Sequence, residues 1–319
     1  METINRRYIW VFFSILIAVM VGAYILNTMK PSYLPKPYAP NAGTGEQVNS
    51  YYVVKNTLGV TILETGLPVQ VDDQYIDEHN VQYIVIKVDG QNAVADIVTK
   101  KESAEAASPA IAAAIAPYAD KSLPVQAVPG NHVVIYHTHT DESYQPTSGQ
   151  ASQPGAGDVF AVGDVLTDSL QKSGISVSHS KAAHDPHNIN AYHRSRKTLT
   201  QLLKEQPDAA MDIHRDSAPA QAYTTSINGI PSSRVMIVIG RSNPNSATNL
   251  KFAKKIKLIA DSLYPGLIRG IYMGKGSYNQ DLYPTAILFE VGTETITLDL
   301  AENAARFLGD VVARTISGG

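Results

Sequence analysis

The chain of 319 residues contains no cysteine. That removes thiol nucleophiles, cysteine-ligated zinc and any disulfide framework. A basic excess is lacking too: 26 Lys and Arg stand against 29 Asp and Glu, a formal net charge of −3. Nucleic-acid binding normally calls for a basic face, so no nucleic-acid partner is expected. Three familiar catalytic signatures are missing: the G-x-S-x-G elbow, the H-E-x-x-H helix and a phosphate-cradling glycine loop. The remaining composition, 44% apolar and 17% charged, is that of an ordinary globular protein with room for more than one folded unit.

One long apolar run is present. Residues 8–26, "YIWVFFSILIAVMVGAYIL", carry no charge. About 19 helical residues cross the ~30 Å hydrocarbon layer. Arg6 and Arg7 precede the run, and a positive flank stays cytoplasmic. Tyr8, Trp10 and Tyr24 lie near its ends, where amphipathic rings favour the interface. A cleaved signal peptide would have a shorter apolar region, about 7–15 residues. The expectation is an uncleaved single-pass anchor in the cell membrane, with a short cytoplasmic tip and the span together making up residues 1–30 and the rest of the chain outside.

Composition then divides the chain. Residues 31–50 are rich in proline and glycine and suit an extended spacer. Residues 51–100 hold short Val/Ile/Tyr runs separated by Gly, Asp and Asn, which predict a small all-β domain, mainly antiparallel. Residues 101–128 combine alanine with Pro109, Pro117 and Pro124 and read as a linker. From residue 129 to 319 the texture alternates. Strands are predicted at 133–137, 175–180, 209–214, 234–240, 268–274 and 286–292, with amphipathic helical stretches between several of them. That alternation implies an α/β domain with a mostly parallel sheet flanked by helices, and ligands in such sheets bind beyond the carboxyl ends of the strands.

Three of the predicted strands end in ionisable side chains. "VVIYHTHTDES" places His137 and His139 at alternating positions before Glu142; "MDIHRDS" ends in His214, Arg215 and Asp216; "AILFEVG" carries Glu290. Two histidines and a carboxylate form a common zinc set that leaves a fourth position for water, and another carboxylate can take that water's proton. Each residue also has a plain structural reading. The two histidines suit an ordinary strand end, and Glu290 suits an ion pair with Arg215 or Lys275, because an unpaired buried carboxylate is costly. "HDPHNINAYHRSR" adds His184, His187 and His193, read mainly as loop and helix-face residues, with His184 and Asp185 as the pair supporting the site.

Taken in order, "IYHTHTDESY", "AYHRSR", "DIHRDS", "YNQDLYP" and "FEVGTE" resemble the stage II sporulation protein P family, as do the N-terminal anchor and "GVTILETGLPVQVDDQYI". That family is similar, distantly, to zinc-dependent N-acetylmuramoyl-L-alanine amidases. The resemblance implies a membrane-anchored peptidoglycan hydrolase of sporulation. It would cleave the N-acetylmuramoyl-L-alanine amide, alongside a lytic transglycosylase and other sporulation membrane proteins. It implies Zn2+ held by His139, Glu142 and His214, with His137 as the alternative to His139, and Glu290 as catalytic base. Two rival functions share the sequence: a zinc endopeptidase cutting stem-peptide cross-links, and an inactive wall-binding scaffold.

Overall fold

The computed structural model describes residues 50–98 and 131–318. The expected anchor, the linker and all but the last residue of the spacer lie outside the described residues. Among the described residues no helix is long and apolar enough to cross a membrane.

Among the described residues thirteen strands follow in chain order: β1 Tyr52–Asn56, β2 Thr61–Thr65, β3 Gln74–Asp77, β4 Gln82–Asp89, β5 Asn92–Ile97, β6 His132–Tyr136, β7 Ser176–His179, β8 Ala209–Asp216, β9 Thr224–Ile227, β10 Ile230–Ser233, β11 Val235–Gly240, β12 Ile268–Gly274 and β13 Ala286–Thr293. The four longer helices are α1 Val159–Lys172, α2 Ala191–Leu202, α3 Ser246–Leu263 and α4 Leu298–Ser317. The six strands expected from residue 129 onward are found to within a few residues as β6, β7, β8, β11, β12 and β13, and the β9–β10 hairpin was not among those expected. Its turn is Asn228-Gly229, both at positive φ (50° and 79°). An Asn-Gly pair is the strongest short hairpin signal, and "TTSINGIPSS" carries it.

Eleven strands form one mixed sheet in the order β2-β1-β5-β4-β3-β12-β11-β13-β8-β6-β7. In its α/β half four neighbouring pairs are parallel (β12–β11, β13–β8, β8–β6, β6–β7), as the alternation predicts. The exception is β11 against β13, which is antiparallel. So β6, β8 and β13 bring their carboxyl ends to one edge, and β11 and β12 bring theirs to the other.

The small β region does not form a sheet of its own. β3 pairs antiparallel with β12, from Gly270↔Asp77 to Met273↔Gln74, and extends the sheet. A single layer of strands buries its apolar face only against a second layer. Val54, Leu63, Val85 and Ala95 therefore share a core with Met236, Val238, Tyr272 and Leu288 of the α/β half. The strands are also not wholly antiparallel: β1 runs parallel to β5.

Strand alternation divides the rest of the core. Val133 and Ile135 of β6, Met211 and Ile213 of β8, and Ile287 and Phe289 of β13 point to one face, under α1, α3 and α4. Val134, Tyr136 and Ala210 point to the opposite face, under Leu199 and Leu202 of α2.

Candidate metal centre

Alternation also decides which polar side chains meet. On β8, Asp212, His214 and Asp216 follow Ala210 in steps of two and so occupy the α2 face. On β13, Glu290 is the register partner of His214, while Phe289 pairs with Ile213 on the three-helix face. Glu290 therefore stands beside His214 on the α2 face, wholly buried. β6 ends at Tyr136. His137, next after it, falls on the three-helix face with Ile135. There its ring meets Phe160 of α1 edge-on at 5.1 Å. Gly163 of α1 makes the room, because a Cβ at that position would lie 2.8 Å from His137 Nε2. The His137 Nδ1–H donates to the Ile213 carbonyl (2.9 Å), and its Nε2 faces His179 Nε2 at 2.8 Å.

Past the strand the chain turns, and Thr138 crosses to the α2 face. Its backbone N–H and hydroxyl both donate to Asp212 (2.8 and 2.6 Å). That turn brings His139 and Glu142 over the end of β8. His139, Glu142 and His214 are all buried, and one potential ligand atom from each lies within 4.8 Å of the others. His139 Nδ1 lies 3.0 Å and His214 Nδ1 3.2 Å from the same Glu142 oxygen. The other Glu142 oxygen accepts the Arg215 backbone N–H (3.0 Å). His214 Nε2 is 3.0 Å from Asp212.

Burial opposes ionisation of Glu142, but the His214 imidazole and the hydrogen bonds from both histidines outweigh it and hold the carboxyl well below its usual range. Burial also disfavours a charged His214. The Asp212 and Glu142 carboxylates reverse that and hold it well above an ordinary histidine. His137 goes the other way: desolvation, then its neighbour His179, push it down to about 3. His137 has its Nε2 turned to His179 and its ring against Phe160, on the other face, whereas the His139 and His214 imidazoles converge on one Glu142 oxygen and form a donor set. The His-Glu-His donors and their spacing fit a divalent cation such as zinc. Asp212 stands behind His214 where an outer carboxylate stands behind a metal-ligating ring.

Residues 88–313 match the family model "Stage II sporulation protein P (SpoIIP)". The chain belongs to the stage II sporulation protein P family. It is 32% identical over 214 residues to Stage II sporulation protein P of Bacillus subtilis (strain 168), covering 60% of this chain and 53% of that one. The chain thus spans about half the length of this curated relative. Among solved structures it is similar to the N-acetylmuramyl-L-alanine amidase Ami1 from Mycobacterium smegmatis (TM-score 0.38, 15% identity, 60% of this chain and 98% of that one). It is also similar to the CwlD amidase from Clostridioides difficile, solved with the GerS lipoprotein (TM-score 0.32, 12% identity, 59% of this chain and 96% of that one). Scores this low do not establish a common fold.

The other expected site residues have different surroundings. His184 braces a loop: its Nδ1 is 2.6 Å from the His137 carbonyl and its Nε2 2.8 Å from the Thr198 hydroxyl. Asp185 accepts the Gly155 N–H at 2.7 Å. The Arg215 guanidinium donates to the Ser143 and Ala151 carbonyls and lies 3.9 Å from Glu294. Lys275 is exposed just past the end of β12. Because β12 is reversed relative to β13, that end lies at the far edge of the sheet. Glu290 aligns through Met236 with Gly270, the third residue of β12. Gly274 is four residues further, about 13 Å along the strand. Lys275 is thus no partner for Glu290, because a strand reversal the sequence does not announce carries it away. Asp216 ties the β region to the site, accepting Thr65 Oγ1 (3.0 Å), the Gly66 N–H (2.8 Å) and the Tyr223 hydroxyl (2.7 Å).

Two residues at the centre were not among the expected site residues: Asp212, and His187, which was read as a loop residue. Asp212 had a signal, since the D-I-H spacing puts it on the face of His214 in any strand. His187 had none, because only the folded loop lays its ring on His139, 3.8 Å between centroids and 23° from parallel.

Proposed function

We propose that the chain is a membrane-anchored cell-wall hydrolase of sporulation that cleaves the amide between N-acetylmuramic acid and L-alanine in peptidoglycan. The convergence of His139, Glu142 and His214 at the carboxyl ends of the sheet carries the reading. Membership of the family supports it. These three residues would hold Zn2+. Bound there, zinc would polarise the scissile carbonyl and lower the pKa of a bound water to about 7. Glu290, beside His214 on the same face, is assigned the base: its carboxylate would accept a proton from the attacking water and return it to the leaving amine. Asp212 holds the His214 ring by its Nε2, and the Arg215 backbone N–H holds Glu142. Folding thus places the donors before any cation arrives, and less ordering entropy is lost on binding.

The topology expected from residues 8–26 belongs to the same reading: cytoplasmic N-terminus, one span and the hydrolase outside, with a lytic transglycosylase among its partners. The experiment is digestion of purified peptidoglycan by the zinc-loaded protein, with mass spectrometry of the new ends. Stem peptides with a free L-alanine amine are expected. New ends confined to the cross-links would make it an endopeptidase, and no new ends with the metal bound would make it a scaffold.

A further inference from the structure

We infer that His187 is a positioning residue for the metal ligand His139, holding that ring by a face-to-face stack and held in turn by Asp141. The inference rests on the metal reading above. His139 lies three residues past the end of β6, so no strand ladder fixes its backbone. Its ring is oriented by side chains: Glu142 at Nδ1, the edges of His214 (4.9 Å) and Tyr192 (5.5 Å), and the face of His187 at 3.8 Å. Edge contacts leave a ring free to tilt. A stack only 23° from parallel restrains that tilt.

His187 can serve only if it is fixed itself, and it is tied from several sides. Its Nδ1 lies 3.0 Å from Asp141 Oδ1, and Ser152 Oγ donates to the second oxygen of the same carboxylate. The loop carrying it is pinned through Asp185 to the Gly155 N–H. From α2, Arg194 donates to the His184 carbonyl (2.6 Å), the Pro186 carbonyl (2.5 Å) and Asn188 Oδ1 (3.2 Å). The loop therefore presents a rigid imidazole face to the ligand. A ligand ring already held in place loses less rotational freedom on taking the metal, and a stacked ring pair is typically worth about 2–10-fold in an equilibrium.

The test measures zinc affinity of the full chain in detergent by competition with a chromophoric chelator, with melting of the metal-free forms followed in parallel. His187→Ala should weaken zinc binding by about 2–10-fold. His187→Phe keeps the ring face and should recover most of that loss. Asp141→Asn, which weakens the support of His187, should fall between wild type and alanine. Wild-type affinity in His187→Ala, or alanine-like affinity in His187→Phe, would overturn the inference. If the alanine variant does not fold, His187→Gln takes its place: it reaches toward Asp141 but has no ring, and wild-type affinity there also overturns it. A lowered melting temperature with unchanged affinity would reduce His187 to packing. A wild-type chain that takes up no zinc would refute the metal reading itself and this inference with it, which is distinguishable from failure of the variants alone.

Discussion

Asp212 accepts the Thr138 N–H at 2.8 Å and the Thr138 hydroxyl at 2.6 Å, and it lies 3.0 Å from His214 Nε2. It is 1% exposed, so no water replaces it. Asp212→Ala takes the acceptor from the Thr138 N–H and from His214. The Thr138 hydroxyl keeps Ser195 Oγ at 2.8 Å. Each buried donor left without an acceptor costs about 1–3 kcal/mol, so the loss is about 2–6 kcal/mol against a total stability of about 5–15 kcal/mol. Asp212→Asn is gentler. Its amide oxygen still accepts from Thr138 and His214, and its NH2 can donate to the Thr138 hydroxyl once that hydroxyl turns to Ser195. Only the charge is lost, at about 1–2 kcal/mol. Burial raises the Asp212 pKa, but His214 and Thr138 outweigh it and hold it below the ordinary value of 3.8. A depressed carboxyl stabilises the fold above its unfolded value and loses that contribution as pH falls through its folded value. The gap between wild type and Asp212→Asn should therefore be full near pH 7 and close below about pH 3.8. Urea denaturation of the metal-free chain across pH measures it. Zinc competition should show both variants weaker by about 10–100-fold. Wild-type stability and wild-type zinc affinity in Asp212→Ala would refute the assigned role of this carboxylate.

Glu290→Gln should lower the wall-hydrolysis rate by about 10²–10⁴-fold while zinc content stays at the wild-type level. Full activity with a lowered melting temperature would remove Glu290 from the chemistry. His139→Ala should abolish zinc uptake in elemental analysis of dialysed protein. His137→Ala should retain it at some cost in stability, because that side chain faces α1; the reverse pattern would exchange the two roles. His137 is pushed down to about 3 by burial and by His179, so the unfolded chain takes up its proton first. Its contribution to stability is full above the ordinary value of 6.5 and shrinks by up to about 1.4 kcal/mol per pH unit as pH falls toward 3. Denaturation midpoints of wild type and His137→Asn between pH 7 and 4 should converge, and parallel curves would contradict the assignment.

Periodicity and turn chemistry made most elements legible. "RVMIVIG" and "AILFEVG" are near-continuous apolar runs of strand length, and "TLDLAENAARFLGDVVARTI" has apolar residues at helical spacing. These signals are local, and local signals survive the loss of tertiary context. The polar ends of three strands were also visible, because His214 and Glu290 interrupt apolar runs where burial without a function or a partner is costly.

What only the tertiary structure decided lies in pairing and in where each strand stops. His137 and His139 look equivalent in "YHTHT". The end of β6 at Tyr136 leaves His137 on the helix-covered face and lets the turn carry His139 over β8. The antiparallel pairing of β11 with β13 sends Lys275 to the far edge, and no residue near it signals that reversal. The pairing of β3 with β12 turns an expected separate β region into an extension of the main sheet, because its apolar face is covered by residues far away in the chain, from Tyr192 onward. His187 reaches His139 through a loop whose course is set by contacts with Gly155 and Arg194. The sequence by itself determined which side chains are capable of the chemistry. Strand parity, register and loop path determined which of them share one face, since these depend on contacts between residues far apart in the chain.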